Sequence, residues 1–174
     1  MAIFDAELRR VQGGFSKDDD DAKLLPVRVF FTADDPAVVV ARARDVLAQV
    51  IQRMDSWPAD DGWPDLLPQW FVERCAPEPA ADGAGDPAGS LARWRAMSPE
   101  EKAADAKRPW TLSSWLYYFD PVEGMGEDRS WWWWNAGGDE PGTGWIDVVT
   151  TGWPFGTGSL YWLIQGCGGT DPHY

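Results

Sequence analysis

Four consecutive tryptophans, Trp131–Trp134, constrain the fold of this chain more than any other feature of its sequence. The glycine-rich stretch AGGDEPGTG follows soon after them, and the aromatic and β-branched segment 145–151 comes next. Large aromatic and β-branched side chains favour strands, and glycine-rich sequence between two such runs favours a turn. The pattern predicts an antiparallel hairpin with a long connecting loop.

The four indoles are expected to alternate between the two faces of the sheet. Trp131 and Trp133 then share one face, and Trp132 and Trp134 share the other. A chain of 174 residues with 13 tryptophans needs most of them for its core. One pair nevertheless leaves the core face, and without a covering helix it forms an aromatic platform for a protein partner or a stacked sugar.

The first strand and the first long helix are predicted upstream of the hairpin. Apolar residues alternate with Arg28 after Pro26, which predicts a half-buried strand. Asp35 and Pro36 have the residue types of an N-cap and a first helical position. Apolar residues then recur at helical spacing, at Val39, Ala43, Val46, Leu47, Val50 and Met54.

Shorter helices are predicted in the rest of the chain. They lie near 65–75, after the capping box Ser98–Glu101, after Thr111, and after Thr157 or Ser159. The fold class that follows is α+β: a small antiparallel sheet, made of the N-terminal strand and the C-terminal tryptophan-rich hairpin, covered by several helices. Residues 24–174 are predicted to form a single domain.

Residues 1–23 are predicted to lie outside that domain. They contain a glycine pair and the acidic run Asp18–Asp21, and they show no sustained apolar period. The run resembles an enterokinase-type tag interrupted by Ala22, so the segment is either tag-like or a native leader. We expect it to be flexible and its removal to leave the fold intact.

The charge of the chain limits its partners. It carries 15 basic and 28 acidic residues, a net charge of −13 at pH 7. Such a surface repels phosphate backbones, so we expect no nucleic acid partner; it suits a basic protein partner, although it also serves solubility alone. The N-terminus lacks a secretory signal pattern and no segment reaches the ~18 apolar residues of a membrane span, so we expect a cytoplasmic protein with no membrane partner.

The negative charge is concentrated in two stretches. Residues 55–90 hold eight acids against Arg74, and residues 120–147 hold seven acids against Arg129. Only the second stretch adjoins the tryptophan hairpin, where it can combine an apolar anchor with a charged rim. We therefore favour the following residues for partner binding: Trp132, Trp134, Asp139, Glu140, Glu127 and Asp128.

Catalytic, cofactor and metal motifs are not recognisable in the sequence. Cys75, Cys167 and His173 are too widely separated to give zinc-ligand spacing. Gly156–Ser159 lacks the P-loop and dinucleotide-binding patterns, which favours a helix-capping turn. We therefore expect no catalytic residue, no cofactor and no metal. Two free thiols are favoured over a disulfide.

The C-terminal half resembles uncharacterised tryptophan-rich acidic proteins from high-GC bacteria. The resemblance rests on Trp110–Trp115, Asp120-Pro121, Arg129, Trp131–Trp134 and Gly152–Gly156. In its size, its acidity and its lack of catalytic motifs, the chain is also similar in character to the immunity proteins of bacterial toxin systems. This similarity implies an inhibitor of a toxin and assigns no role to any residue.

Three functions remain open at this stage. The leading hypothesis is a non-enzymatic protein-binding protein, an immunity-type inhibitor that engages a basic toxin through its acidic loops. The first alternative is a small hydrolase or carbohydrate-binding protein that uses a tryptophan platform. The second alternative is a structural or assembly protein, for example of a phage.

Overall fold

The computed structural model describes residues 2–14, 26–79, 95–105 and 108–174. In these ranges the helices are α1 (Ala2–Val11), α2 (Pro36–Ile51), α3 (Trp63–Leu66), α4 (Gln69–Val72), α5 (Pro99–Asp105), α6 (Leu112–Tyr117) and α7 (Gly158–Gly166). The strands are β1 (Val27–Thr32), β2 (Trp131–Glu140), β3 (Thr143–Thr150) and β4 (Thr170–His173). The acidic run at 18–21 and residues 80–90 of the acidic stretch 55–90 lie outside the described residues.

The four strands form one antiparallel sheet in the order β2-β3-β1-β4. The predicted α+β class, with the N-terminal strand beside the C-terminal hairpin, is confirmed. Strand β1 pairs with β3 from Val27 to Thr32 and lies inside the sheet, because β4 pairs with its other side. Pro26 precedes the first strand residue, so its missing amide does not interrupt the ladder. Strand β4, which ends at His173, was not predicted from the sequence.

The hairpin has a tight turn where the sequence predicted a long loop. Strand β2 continues to Glu140 and β3 begins at Thr143, so only Pro141 and Gly142 connect them. Gly142 has a φ of 79°, a left-handed conformation that glycine adopts without a steric penalty. The glycine-rich sequence is therefore mostly strand.

A bulge in β2 interrupts the alternation predicted for the four tryptophans. Trp131 and Trp133 are fully buried in the core, as expected for one face. The pairing register shifts between Trp133 and Asn135, so Trp134 is an extra residue in its strand. Trp134 is only 7% exposed, and the guanidinium carbon of Arg10 lies 4.5 Å from its ring centroid. The prediction that Trp132 and Trp134 share an outer face is therefore wrong.

Helix α2 covers the core face of the sheet, where it packs on β2 and β3. Its N-terminus is capped as predicted, because Asp35 Oδ1 accepts hydrogen bonds from the amides of Ala37 and Val38. All the apolar residues predicted for the inner face of this helix are buried, and so is Met54 just beyond it. Helix α7 packs against both α2 and β4.

Helix α1 belongs to the folded domain, so the prediction that residues 1–23 form a separate flexible leader is wrong for this part of the segment. Phe4, Glu7 and Val11 are buried in the core, and α1 packs against β2 and α2. The sequence argument missed α1 because its apolar period is short and its buried face includes a charged residue. Nothing in the primary sequence identifies a carboxylate that is buried with a distant partner.

The buried carboxylate of Glu7 protects the open edge of β2. It accepts hydrogen bonds from the guanidinium of Arg129 and, at 2.8 Å, from the amide of Trp133. Strand β2 is an edge strand, so its outward amides need partners outside the sheet. The hydroxyl of Tyr118 accepts the amide of Trp131 at 3.0 Å in the same way. Burial raises the pKa of Glu7, while Arg129 and the Trp133 amide oppose that rise.

We predict that Glu7→Ala lowers the free energy of unfolding by about 3–5 kcal/mol, because it leaves the fully buried Arg129 cation unpaired. Replacing both partners, as Glu7→Leu with Arg129→Met, is expected to recover part of this loss. Asp5→Asn, at an exposed position of the same helix, is the control and should change stability by less than about 0.5 kcal/mol. Urea unfolding followed by tryptophan fluorescence measures all three. A loss below about 1 kcal/mol for Glu7→Ala would contradict the role of the pair.

Candidate functional site

The structure does not bring the sequence-predicted binding residues together in one site. Asp128 and Glu140 are exposed, but they lie at opposite ends of β2, on the order of 30 Å apart along a strand of this length. Trp132 is half-buried, with the Arg129 guanidinium carbon 5.6 Å from its ring centroid, and Trp134 is buried. The side chains of Glu127 and Asp139 lie outside the described residues.

A groove lies beside helix α6. It consists of two adjoining cavities of about 560 and 520 Å³, which share Asp60, Ser113 and Leu116 as lining residues. Both volumes lie in the range of ligand pockets. We call this feature the α6 groove; its larger cavity lies towards Cys75 and Glu78, and its smaller cavity towards Trp57 and Glu123.

One wall of the α6 groove is fixed by the packing of helix α6 on the core. Thr111 caps the helix as predicted, since its hydroxyl accepts the amide of Ser114 at 3.2 Å. Leu112, Trp115 and Leu116 are buried. The indole nitrogen of Trp115 donates to the carbonyl of Ser159 in α7 at 3.0 Å. The exposed side of α6 is thereby presented to the groove.

The opposite wall is formed by the chain from Trp57 to Glu78 and is joined directly to α6. The carboxylate of Glu78 accepts hydrogen bonds from the amide and the hydroxyl of Ser113, at 2.8 and 2.6 Å. The amide of Ala76 donates to the carbonyl of Trp110 at 2.8 Å. Segments that are more than 30 residues apart in sequence are therefore held together at one end of the groove.

The α6 groove combines an apolar floor with a rim of carboxylates. Val72, Leu112 and Leu116 contribute to the floor. The acids that line the two cavities are Asp60, Asp61, Glu73, Glu78, Asp120 and Glu123. Lysine, arginine and histidine are missing from the described lining residues, and none of these six acids forms an ion pair with a described residue. The groove is therefore suited to a ligand with positive charge and apolar surface.

The groove unites the two acidic stretches that the sequence analysis treated as alternatives. Asp60, Asp61 and Glu73 belong to the stretch 55–90, whereas Asp120 and Glu123 belong to 120–147. The sequence did indicate a capped helix after Thr111 that leads into Asp120. The long-range contact between Glu78 and Ser113, which joins the stretch 55–90 to helix α6, has no signal in a single sequence.

Cys75 lies in the wall of the larger cavity and is free, as is the buried Cys167. Burial raises the pKa of the Cys75 thiol to about 11 and also raises that of Cys167. A thiol with a raised pKa is a poor nucleophile at neutral pH. In the described part of the chain, no three His, Cys, Asp or Glu side chains are arranged to hold a metal ion.

Comparisons with known proteins indicate no function for this chain. No family model matches the chain, and no curated protein or solved structure shows significant similarity to it. Among the helices of the described ranges, none has the length and apolar character needed to cross a membrane.

We predict that Cys75 reacts slowly with iodoacetamide in the folded protein. At pH 8 a thiol with a pKa of about 11 is about 100-fold less ionised than one with the ordinary value of 9.0, and only the thiolate is alkylated. Mass spectrometry of the alkylated peptide over time gives the rate, and the urea-unfolded chain serves as the reference. A folded-state rate within threefold of the unfolded rate would contradict the burial of this groove wall.

Proposed function

We propose that the protein binds a basic polypeptide in the α6 groove, as an immunity-type inhibitor binds a basic toxin. The observation that carries this proposal is the convergence, around an apolar floor, of carboxylates from separate segments that form no ion pair with a described residue. Lysine and arginine have long aliphatic stems with a charge at the end, so a basic segment can satisfy both parts of the groove at once.

The rim of the groove also supplies an apolar anchor. Tyr117 is 55% exposed at the end of α6, and Trp57 lines the same cavity. Exposed aromatics inside a charged rim are typical of binding hot spots, in which the aromatics slow dissociation and the charges speed association. This arrangement supports a protein or peptide partner in preference to a single cation.

The tryptophan platform that would serve a carbohydrate has less support. Trp134 is buried against Arg10, and the indole nitrogen of Trp132 is buried as well. We also propose a cytoplasmic location, which the two free thiols of Cys75 and Cys167 support, since reducing compartments keep thiols unpaired.

We predict that a lysine nonapeptide binds the protein at low salt and that neutralising the groove weakens it. Asp60→Asn with Glu123→Gln is expected to raise the dissociation constant about fivefold, on the order of 0.5 kcal/mol for each ion pair, and to flatten its salt dependence. Isothermal titration at two salt concentrations measures both effects.

The matched control is Asp45→Asn with Glu140→Gln, which removes the same charges from exposed positions outside the groove. We expect it to change the dissociation constant less than twofold. An equal loss in the two double variants would mean that net charge, and not the groove, attracts the peptide. Absence of binding by the unmodified protein would refute the proposed function.

A further inference from the structure

We infer that the smaller cavity of the α6 groove selects arginine over lysine in the basic segment that occupies it. The inference rests on the proposed function and specifies the partner chemistry of that same site. Its basis is the combination of two aromatic rings with the carboxylates of Asp60, Asp120 and Glu123 in one cavity of about 520 Å³.

Two aromatic side chains line this cavity. Trp57 is half-buried and held by Trp63, whose ring centroid lies 4.7 Å from its own at an interplanar angle of 57°. Tyr117 projects from the last residue of α6 and is mostly exposed. A planar guanidinium stacks on such rings with little loss of hydration, whereas a compact ammonium is more strongly hydrated. The rings therefore favour arginine.

Two carboxylates of the cavity have oxygens that accept no hydrogen bond from the described residues. Asp120 Oδ1 accepts hydrogen bonds from the amides of Val122 and Glu123, at 2.7 and 3.1 Å, which fixes the orientation of the carboxylate. Its second oxygen and the carboxylate of Glu123 accept no hydrogen bond from the described residues. A guanidinium can donate to two such oxygens at once through its planar fork of N–H groups. An ammonium is a compact point charge and does not match this geometry.

The described lining of the larger cavity lacks the aromatic rings that would favour arginine over lysine. Its lining combines Asp61, Glu73 and other acids with the aliphatic side chains of Val72 and Leu112, and the described lining contains no aromatic ring. This cavity is therefore expected to accept either basic side chain equally. It supplies an internal control for the smaller cavity.

A comparable arrangement occurs within the protein's own fold at Arg28. Arg28 donates to both oxygens of Asp147, at 2.7 and 2.8 Å. Its guanidinium carbon lies 3.8 Å from the ring centroid of Trp145. A guanidinium is thus satisfied by a carboxylate and an indole together, at a position where the arginine is partly exposed.

The test compares nona-arginine with nona-lysine, which carry equal charge, by titration into the full chain. We expect the arginine peptide to bind about two- to fivefold more tightly for each guanidinium stacked at an exposed site. Tyr117→Leu, which removes the ring and keeps apolar volume, should lower the affinity ratio towards one. Tyr117→Phe retains the ring and should retain the ratio.

Two further variants complete the design. Asp61→Asn in the larger cavity should weaken both peptides by the same factor and leave the ratio unchanged. Trp57→Leu should lower the ratio as Tyr117→Leu does. Far-UV circular dichroism and the thermal midpoint confirm that each variant is folded.

The outcomes separate the inference from the proposed function. Equal affinity for the two peptides, or a preference that Tyr117→Leu and Trp57→Leu leave intact, overturns the arginine selection while groove binding stands. Binding of neither peptide overturns the proposed function itself. A preference that depends on the two rings supports both.

Discussion

The buried ion pair between Glu7 and Arg129 is the interaction on which the rest of the fold depends. Each of these charges is fully buried, and removing an ion from water carries a penalty of several kcal/mol unless it is paired. Glu7 meets this requirement with two donors, the guanidinium of Arg129 and the amide of Trp133. Helix α1, the start of β2 and the open edge of the sheet therefore form one unit.

The aromatic core extends from this pair to the α6 groove. Nε and Nη1 of Arg129 have no hydrogen-bond acceptor among the described residues, but the rings of Phe4, Phe119 and Trp132 lie within 6 Å of its guanidinium carbon. Phe119 in turn contacts Trp115 of α6 at a centroid distance of 4.9 Å. The wall of the groove therefore rests on the same packed layer that surrounds the ion pair.

Local patterns in the sequence predicted the elements of this fold. They failed where contacts between residues far apart in sequence determine the structure. The alternation in β1, the N-cap at Asp35 and the cap at Thr111 depend on neighbouring residues, and all three are present in the structure. The bulge at Trp134 could not be predicted, because it depends on the register with β3. Glycine-rich sequence was taken for a loop although close packing, such as the Trp145 ring over Gly137, also requires glycine.

The candidate site was predicted less well than the fold for the same physical reason. The sequence showed where acids are concentrated, but a groove forms only where distant segments come together. Asp60 and Asp120 line one cavity although no local pattern in the sequence relates them. The choice of Asp139 and Glu140 relied on closeness in sequence to the tryptophans. Burial of Trp134 removes the apolar anchor that this choice required.

The acids of the described residues differ in whether an arginine pairs with them. Two carboxylates that join elements of the fold are neutralised by an arginine: Glu7 by Arg129, and Asp147 by Arg28. The groove acids Asp60, Asp61 and Glu123 have no such partner among the described residues. Acids that serve solubility alone reduce their mutual repulsion by spreading over the surface. The convergence of the groove acids around an apolar floor is the observation on which the proposed binding of a basic segment rests.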